Sequence, residues 1–199
     1  MSKQQLRTLL RERRCQLDTI EQQSAASRIA QYALALPEWP SATKIALYHP
    51  VNSEISGDHI ASEALSQGKT LYLPVIGPGN TMSFAQWGNN TRLQENRFGI
   101  AEPTAKSPRC PASELDILFM PLLGWDRKGN RLGMGAGFYD RCLEGVSGPL
   151  LVGLAYSVQE IGNISSEPWD IALDRVLTEN GTQVCSGGAI RSQEPPIAG

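Results

Sequence analysis

The chain is poor in the residues that build metal clusters and disulfide frameworks: two histidines and four cysteines in 199 residues. Cys15, Cys110, Cys142 and Cys185 are scattered, and none forms a CxxC pair or stands at metal spacing from a histidine. That excludes a thiol-rich zinc site and a disulfide scaffold. No stretch approaches the ~18 consecutive apolar residues of a membrane span, and the first residues lack the apolar core of a secretory signal. Charge of one sign is lacking too. The formal net charge is −2, so no global field draws nucleic acid or an acidic membrane. Nor is there a Ser-His-Asp or Cys-His arrangement for nucleophilic catalysis. The expectation is a cytoplasmic monomer with reduced thiols that acts on small molecules, without nucleic-acid or membrane partners.

What is there is an ordinary globular composition, 41% hydrophobic, in a chain long enough for one large domain. The expected domain is 1–186, followed by a flexible tail over 187–199. Residues 2–36 read as two helices. Ser2 and Gln5 fit a capping box with Leu6, Leu9 and Leu10 on one face. Thr19 and Gln22 repeat the signal ahead of Ile20, Ala26, Ile29, Ala30 and Ala33. A strand over 44–49, a helix over 58–67 and a strand over 70–73 make a strand–helix–strand unit, the mark of a parallel sheet. Further strands are expected over 82–87, 115–120 and 150–155. Residues 88–114, rich in Pro, Asn and Ser, read as loop. Asn180-Gly181 marks a hairpin between 175–178 and 182–184.

The most informative stretch is Gly129-Asn-Arg131-Leu-Gly133-Met-Gly135-Ala-Gly137-Phe-Tyr139-Asp-Arg141. Glycines between a strand and a helix can turn successive N–H groups toward one anion. Arg131 and Arg141 offer fork-shaped donors for phosphate oxygens, and Asp140 is a carboxylate of the kind that holds magnesium beside phosphates. A Walker loop is excluded because no Lys-Ser or Lys-Thr follows. A dinucleotide fingerprint is excluded because the spacing is GxGxG and lies late in the chain. GxGxG alone fits a tight structural turn equally well. The attached FYDR tips the balance toward anion binding.

Arg131-Leu-Gly-Met-Gly-Ala-Gly-Phe-Tyr-Asp-Arg141 resembles the signature of the 5-formyltetrahydrofolate cyclo-ligase family. The resemblance extends to Lys3-Gln-Gln-Leu-Arg7, Asn52-Ser-Glu54-Ile55, Phe98-Gly-Ile-Ala-Glu-Pro103 and Asp116-Ile-Leu-Phe-Met-Pro121, and to Gly124 and Asp126 in the turn before the loop. In order and spacing it covers roughly residues 3–178. It implies a three-layer α/β sandwich with a mainly parallel central sheet and two N-terminal helices. It also implies a reaction: 5-formyltetrahydrofolate and ATP give 5,10-methenyltetrahydrofolate, ADP and phosphate, with Mg2+.

The resemblance also implies roles. Lys3, Arg7, Arg131 and the run Gly133, Met134, Gly135, Ala136, Gly137, Phe138 and Tyr139 fall to ATP. His49, Glu54 and residues 134–138 fall to the folate, with Glu54 as pterin anchor. Arg131, Tyr139 and Arg141 are the catalytic candidates, and Asp140 and Asp174 the magnesium ligands. Many relatives carry a basic residue where this loop has Met134 and Ala136, so cationic help must come from Arg131, Arg141 or Lys3. Each residue also has a plainer reading. Lys3 and Arg7 suit a solvated basic helix face together with Arg11 and Arg14. Glu54 suits an acid leading the next helix. A lone histidine such as His49 is more often structural, and Asp174 alone is an ordinary surface acid. Trp169-Asp170 covers the substrate side or simply packs. Two other functions stay open: a non-catalytic nucleotide- or sugar-phosphate-binding α/β protein, and a folate-binding protein without catalysis. KQQLR and GxGxGFYDR argue against both, because they make most sense as two halves of one ATP site.

Overall fold

The structure is a computed structural model that describes residues 1–186; the tail expected over 187–199 lies outside the described residues. The chain opens with two helices, α1 (Lys3–Cys15) and α2 (Thr19–Leu34). The Ser2–Gln5 capping box forms as expected. The second box sits one residue earlier than expected: Asp18 is the N-cap and pairs with Glu21, both bonds at 2.8 Å. Aspartate is the better N-cap, and Glu21 then stands at the third helical position. With that phase Ala25, Ala26, Ile29, Ala30 and Ala33 are buried, while Ile20 projects into solvent.

The remaining elements are β1 (Lys44–Ala46), α3 (Asp58–Ser66), β2 (Thr70–Ile76), β3 (Met82–Trp87), β4 (Leu93–Glu95), β5 (Ala101–Pro103), β6 (Arg109–Cys110), β7 (Ile117–Pro121), β8 (Gly124–Trp125), β9 (Arg131–Leu132), α4 (Phe138–Leu143), β10 (Leu150–Leu154), β11 (Arg175–Thr178) and β12 (Gly181–Val184). Eight strands form one sheet in the order β12-β11-β10-β7-β1-β2-β3-β6. Strands β11, β10, β7, β1 and β2 run parallel; β12 and β3 run antiparallel to them, and β6 pairs antiparallel with β3. This is the expected mainly parallel α/β sheet. The β11–β12 hairpin turns at Asn180-Gly181, as expected.

The continuous apolar run of β7 is explained by a sheet covered on both faces. Ile117 and Phe119 join the core under α2 and α3; Leu118 and Met120 join the opposite core against α4. Helix α1 belongs to neither layer. Its Leu10 packs with Leu132 and Ile164, which sets the helix across the loops at the carboxyl ends of the parallel strands. Strand β2 runs on to Ile76 through Pro74, past the expected end at Leu73. Its pairing with β1 ends with the Leu47 N–H on the Tyr72 carbonyl at 3.0 Å; the next rung would need an N–H from residue 74, which proline lacks. The segment expected to be loop, 88–114, contains the β4–β5 hairpin and the edge strand β6. Buried Glu102 fixes the hairpin by accepting bonds from the Ile76 N–H (3.0 Å) and Asn96 Nδ2 (3.1 Å).

Candidate active site

Parallel α/β sheets place ligands beyond the carboxyl ends of their strands. There the segments after β1 (Tyr48, His49), at the end of β2 (Pro74, Ile76) and after β7 (Pro121, Leu122) line one cavity of about 790 Å³. Lys3, Arg7, Glu54, Arg131, Gly133 to Arg141 and Trp169 line it too. Of the four glycines between 129 and 141, Gly133, Gly135 and Gly137 line the cavity. Gly129 instead turns the β8–β9 hairpin and packs against the Leu173 backbone. Gly135 and Gly137 have φ of 102° and 65°, a conformation that costs other residues strain.

On the cavity wall the glycine loop meets α1. Arg7 Nε donates to the Gly133 carbonyl at 2.9 Å, and Lys3 Nζ lies 3.4 Å from Glu167 and 3.7 Å from Asp170. Arg141 Nη2 donates to the Ala136 carbonyl at 2.6 Å and the Asn80 carbonyl at 3.3 Å. Arg131 is more deeply set. Its guanidinium pairs with Asp140 Oδ1 at 2.5 Å and also donates to the Ile171 carbonyl. Burial lowers the Arg131 pKa, and the Asp140 carboxylate beside it offsets only part of that. Asp140 Oδ1 also accepts the Ile171 N–H at 3.1 Å. Arg131 and Asp140 therefore hold the loop to the 167–171 segment.

Asp174 does not join this group. Its carboxylate accepts the Leu151 N–H at 2.7 Å. Leu151 pairs with Leu118 near the start of β7, whereas Leu154 pairs with Pro121 at the cavity end. Three strand residues, roughly 10 Å, separate the two levels. Asp140 and Asp174 thus do not converge, and among the described residues no group of three or more His, Cys, Asp or Glu side chains could hold a metal. The residues present do not fit a magnesium site built by the protein alone.

Glu54 lines the same cavity. The backbone before it is unusual: Asn52 and Ser53 both have positive φ, 50° and 61°. The turn closes reciprocally, the Glu54 N–H donating to the Val51 carbonyl and the Val51 N–H to Glu54 Oε2, both at 3.1 Å. Non-glycine residues in this conformation cluster at functional sites. Burial pushes the Glu54 carboxyl above its ordinary value, opposed by the Val51 N–H and by Arg14. Tyr139 faces it from α4. Its hydroxyl is buried without a hydrogen-bond partner, and burial followed by the Glu54 charge drives its pKa well up. It is therefore a neutral O–H donor with nothing to donate to.

Two features were missed in the sequence. Phe98, at the tip of the β4–β5 hairpin, is 54% exposed and meets Phe138 edge-on at 5.8 Å. Arg97 and Arg141 flank the pair, 5.0 and 5.7 Å from the Phe98 and Phe138 rings. The sequence signal was an aromatic just before a turn glycine. The second is Arg14. It was read as part of a solvated helix face, and it is in fact 1% exposed with Nη1 3.8 Å from Glu54 Oε1. It stands four residues after Leu10 and so shares the buried face of α1.

The 5-formyltetrahydrofolate cyclo-ligase family model matches residues 1–179. The chain is 41% identical to a 5-formyltetrahydrofolate cyclo-ligase of Haemophilus influenzae, over 88% of this chain and 96% of that one. It is 33% identical to one of Escherichia coli, over 85% and 96%. Among solved structures, 5,10-methenyltetrahydrofolate synthetase of Aquifex aeolicus superposes with a TM-score of 0.82 at 31% identity, covering 100% of this chain and 97% of that one. The enzyme of that name from Mycoplasma pneumoniae gives 0.74 at 26%, covering 90% and 99%.

Proposed function

This chain belongs to the 5-formyltetrahydrofolate cyclo-ligase family, and on that premise we propose that it closes 5-formyltetrahydrofolate to 5,10-methenyltetrahydrofolate at the expense of ATP. The observation that carries the proposal is the shared cavity. The glycine loop, Lys3, Arg7, His49, Glu54 and Tyr139 all line it. About 790 Å³ lies toward the upper end for small-molecule sites, and two ligands that must react need one chamber.

The chemistry follows from the substrate. A formamide carbonyl is a poor electrophile, and N10 cannot expel its oxygen as oxide. Transfer of the ATP γ-phosphoryl group to the formyl oxygen leaves ADP and an iminium-like carbon carrying a phosphate ester. N10 attacks that carbon and loses its proton. The C–O bond breaks, and phosphate leaves with the formyl oxygen.

Such a transfer asks the protein to position groups and stabilise charge rather than to supply a nucleophile. Main-chain N–H groups of 133–138 and the Lys3, Arg7 and Arg141 cations are disposed for the triphosphate. Arg131 and Asp140 fix the loop that presents those N–H groups. Magnesium belongs to the co-substrate, entering with the nucleotide. Glu54 accepts N–H groups of the pterin, and the unpartnered Tyr139 hydroxyl supplies a neutral donor on the folate side. The Phe98–Phe138 pair gives the mouth an aromatic surface for a flat ligand.

A coupled assay tests this. The expected result is ATP hydrolysis that requires 5-formyltetrahydrofolate and matches the methenyl absorbance mole for mole. Hydrolysis indifferent to the folate, or nucleotide binding with no folate binding, would sink the proposal.

A further inference from the structure

Arg14 is among the largest fully buried side chains in the protein, and it is poorly matched to its surroundings. Its Nη1 has one weak bond, to the Leu122 carbonyl at 3.4 Å. Its Nε and Nη2 have no hydrogen-bond partner. A guanidinium keeps its charge when buried and carries five donors. An arginine retained only to hold α1 in place would be expected to have those donors satisfied, and an apolar residue would fill the space with less desolvation. The carboxylate that faces Arg14 is Glu54, 3.8 Å away, its own side chain 7% exposed. That distance is too long for a fork-to-fork pair and short enough for strong charge coupling in a buried setting.

Glu54 is shared between Arg14 and the cavity. Its Oε2 takes the Val51 N–H, its Oε1 faces Arg14, and the carboxylate lines the chamber. Each carboxylate oxygen has two lone pairs, so capacity remains for a ligand. The other titratable groups around it are Tyr48, from the segment after β1, and Tyr139, from α4; both feel the Glu54 charge. Neither brings a positive charge. His49 lines the same cavity. Arg14, reaching in from α1, is the cation that acts on Glu54 directly.

We propose that Arg14 is a positioning residue of the active site: its guanidinium keeps the Glu54 carboxylate charged and aimed into the cavity, where that carboxylate accepts N–H groups of the reduced-pterin ring. Arg14 acts through Glu54 and touches neither substrate. The assignment rests on the folate reading above. Without Arg14 the burial of Glu54 has no counter-charge, the acid takes up a proton nearer neutrality, and a protonated acid is a poor acceptor for two N–H donors.

The test is the pH dependence of 5-formyltetrahydrofolate binding to the full chain, followed by calorimetry between pH 6 and 9, with ATP binding measured alongside. The variants are Arg14→Met, Arg14→Gln and Arg14→Lys, each checked for folding by its thermal transition. Arg14→Gln keeps a donor for Leu122 and loses the charge, so it carries the test if Arg14→Met does not fold. In the neutral variants the pH at which folate affinity halves should rise by at least one unit. Affinity at pH 7 should fall at least tenfold, while ATP affinity stays within twofold. Arg14→Lys should recover most of the loss. Glu54→Gln should weaken folate binding and abolish the titration in every background. A folded neutral variant with the wild-type pH profile overturns the assignment. So does an equal, pH-independent loss of folate and ATP affinity, which would mark Arg14 as structural. A wild-type chain that binds ATP but no folate overturns the reading on which the assignment rests.

Discussion

The glycine loop gives a sharp physical test, because two of its glycines differ in what they forbid. Gly137 sits at φ 65°, and a Cβ built there would lie 2.9 Å from Arg141 Nη1. Gly133 has no positive φ, and its Cβ would meet nothing within 4 Å. For Gly137→Ala the left-handed conformation costs about 1–2 kcal/mol. The clash adds little by itself, since the end of a flexible side chain can move. Moving it breaks the 2.6 Å bond from Arg141 to the Ala136 carbonyl. If the loop keeps its shape the cost appears as stability, and a chain of 199 residues loses about 2–8 °C in its transition. If the loop relaxes instead, stability is kept. ATP binding must then restore the shape, so nucleotide affinity drops by about 5- to 30-fold. Either way the strain must surface in one of two measurements. Differential scanning calorimetry and nucleotide titration on Gly137→Ala and Gly133→Ala read both. Gly133→Ala should change stability by no more than about 0.5 kcal/mol. A Gly137→Ala chain that melts and binds ATP like wild type would show that the loop is not held in this conformation, and the case for its N–H groups facing the phosphates would fail.

Tyr139→Phe should leave stability unchanged or raise it by up to about 1 kcal/mol, because it removes a buried hydroxyl with no partner. Turnover should fall at least tenfold in the coupled assay, and wild-type turnover would exclude the hydroxyl from the reaction. Asp126 is 1% exposed and accepts from the Lys128, Asn130 and Ile164 N–H groups and from Asn130 Nδ2. Asp126→Ala should therefore cost at least about 2 kcal/mol, or about 4–8 °C in thermal denaturation. Arg175, by its hydrogen bonds, holds the Glu38 carboxyl below its ordinary 4.5. A depressed folded-state value stabilises above the unfolded value and is lost on acidification. Glu38→Gln should hence flatten the acid limb of the stability profile as pH falls from 4.5 through the depressed value; an unchanged limb in urea melts would refute the pairing.

Much of the fold was legible because the parallel strands are buried on both faces. Runs such as Ile117-Leu-Phe-Met120 and Leu150-Leu-Val152 have one reading in a chain that also supplies a strand–helix–strand unit. The cavity was legible by consequence in part, since His49 and Glu54 follow such a strand, whereas the glycine loop follows the short β8–β9 hairpin. The β4–β5 hairpin was not. Leu93, Gln94 and Glu95 are all exposed, so no alternation announces the strand, and what holds the hairpin is a carboxylate from Glu102 that sequence cannot distinguish from a surface acid. The same blindness applied to Asp140 and Asp174. Both were expected to act together as magnesium ligands, and nothing in the sequence announces that sheet register puts Asp174 at the level of Leu151.

The pairing of Arg131 with Asp140 belongs to a pattern that bears on how the site works. Each cation that sequence alone would aim at a phosphate already has a partner in the protein: Arg7 the Gly133 carbonyl, Arg131 the Asp140 carboxylate, Arg141 the Ala136 carbonyl, Lys3 the acids at 167 and 170. Three of these bonds end on the glycine loop or on the helix it starts, and the fourth ends on the segment that Arg131 ties to it. The cations therefore fix where the loop's N–H groups point before any ligand charge is considered. Donors fixed in advance need no reorganisation when charge develops on a transferring phosphoryl group, which is where electrostatic catalysis gains most. On the proposed reading, positive charge comes from α1, β9 and α4, and the loop contributes its backbone.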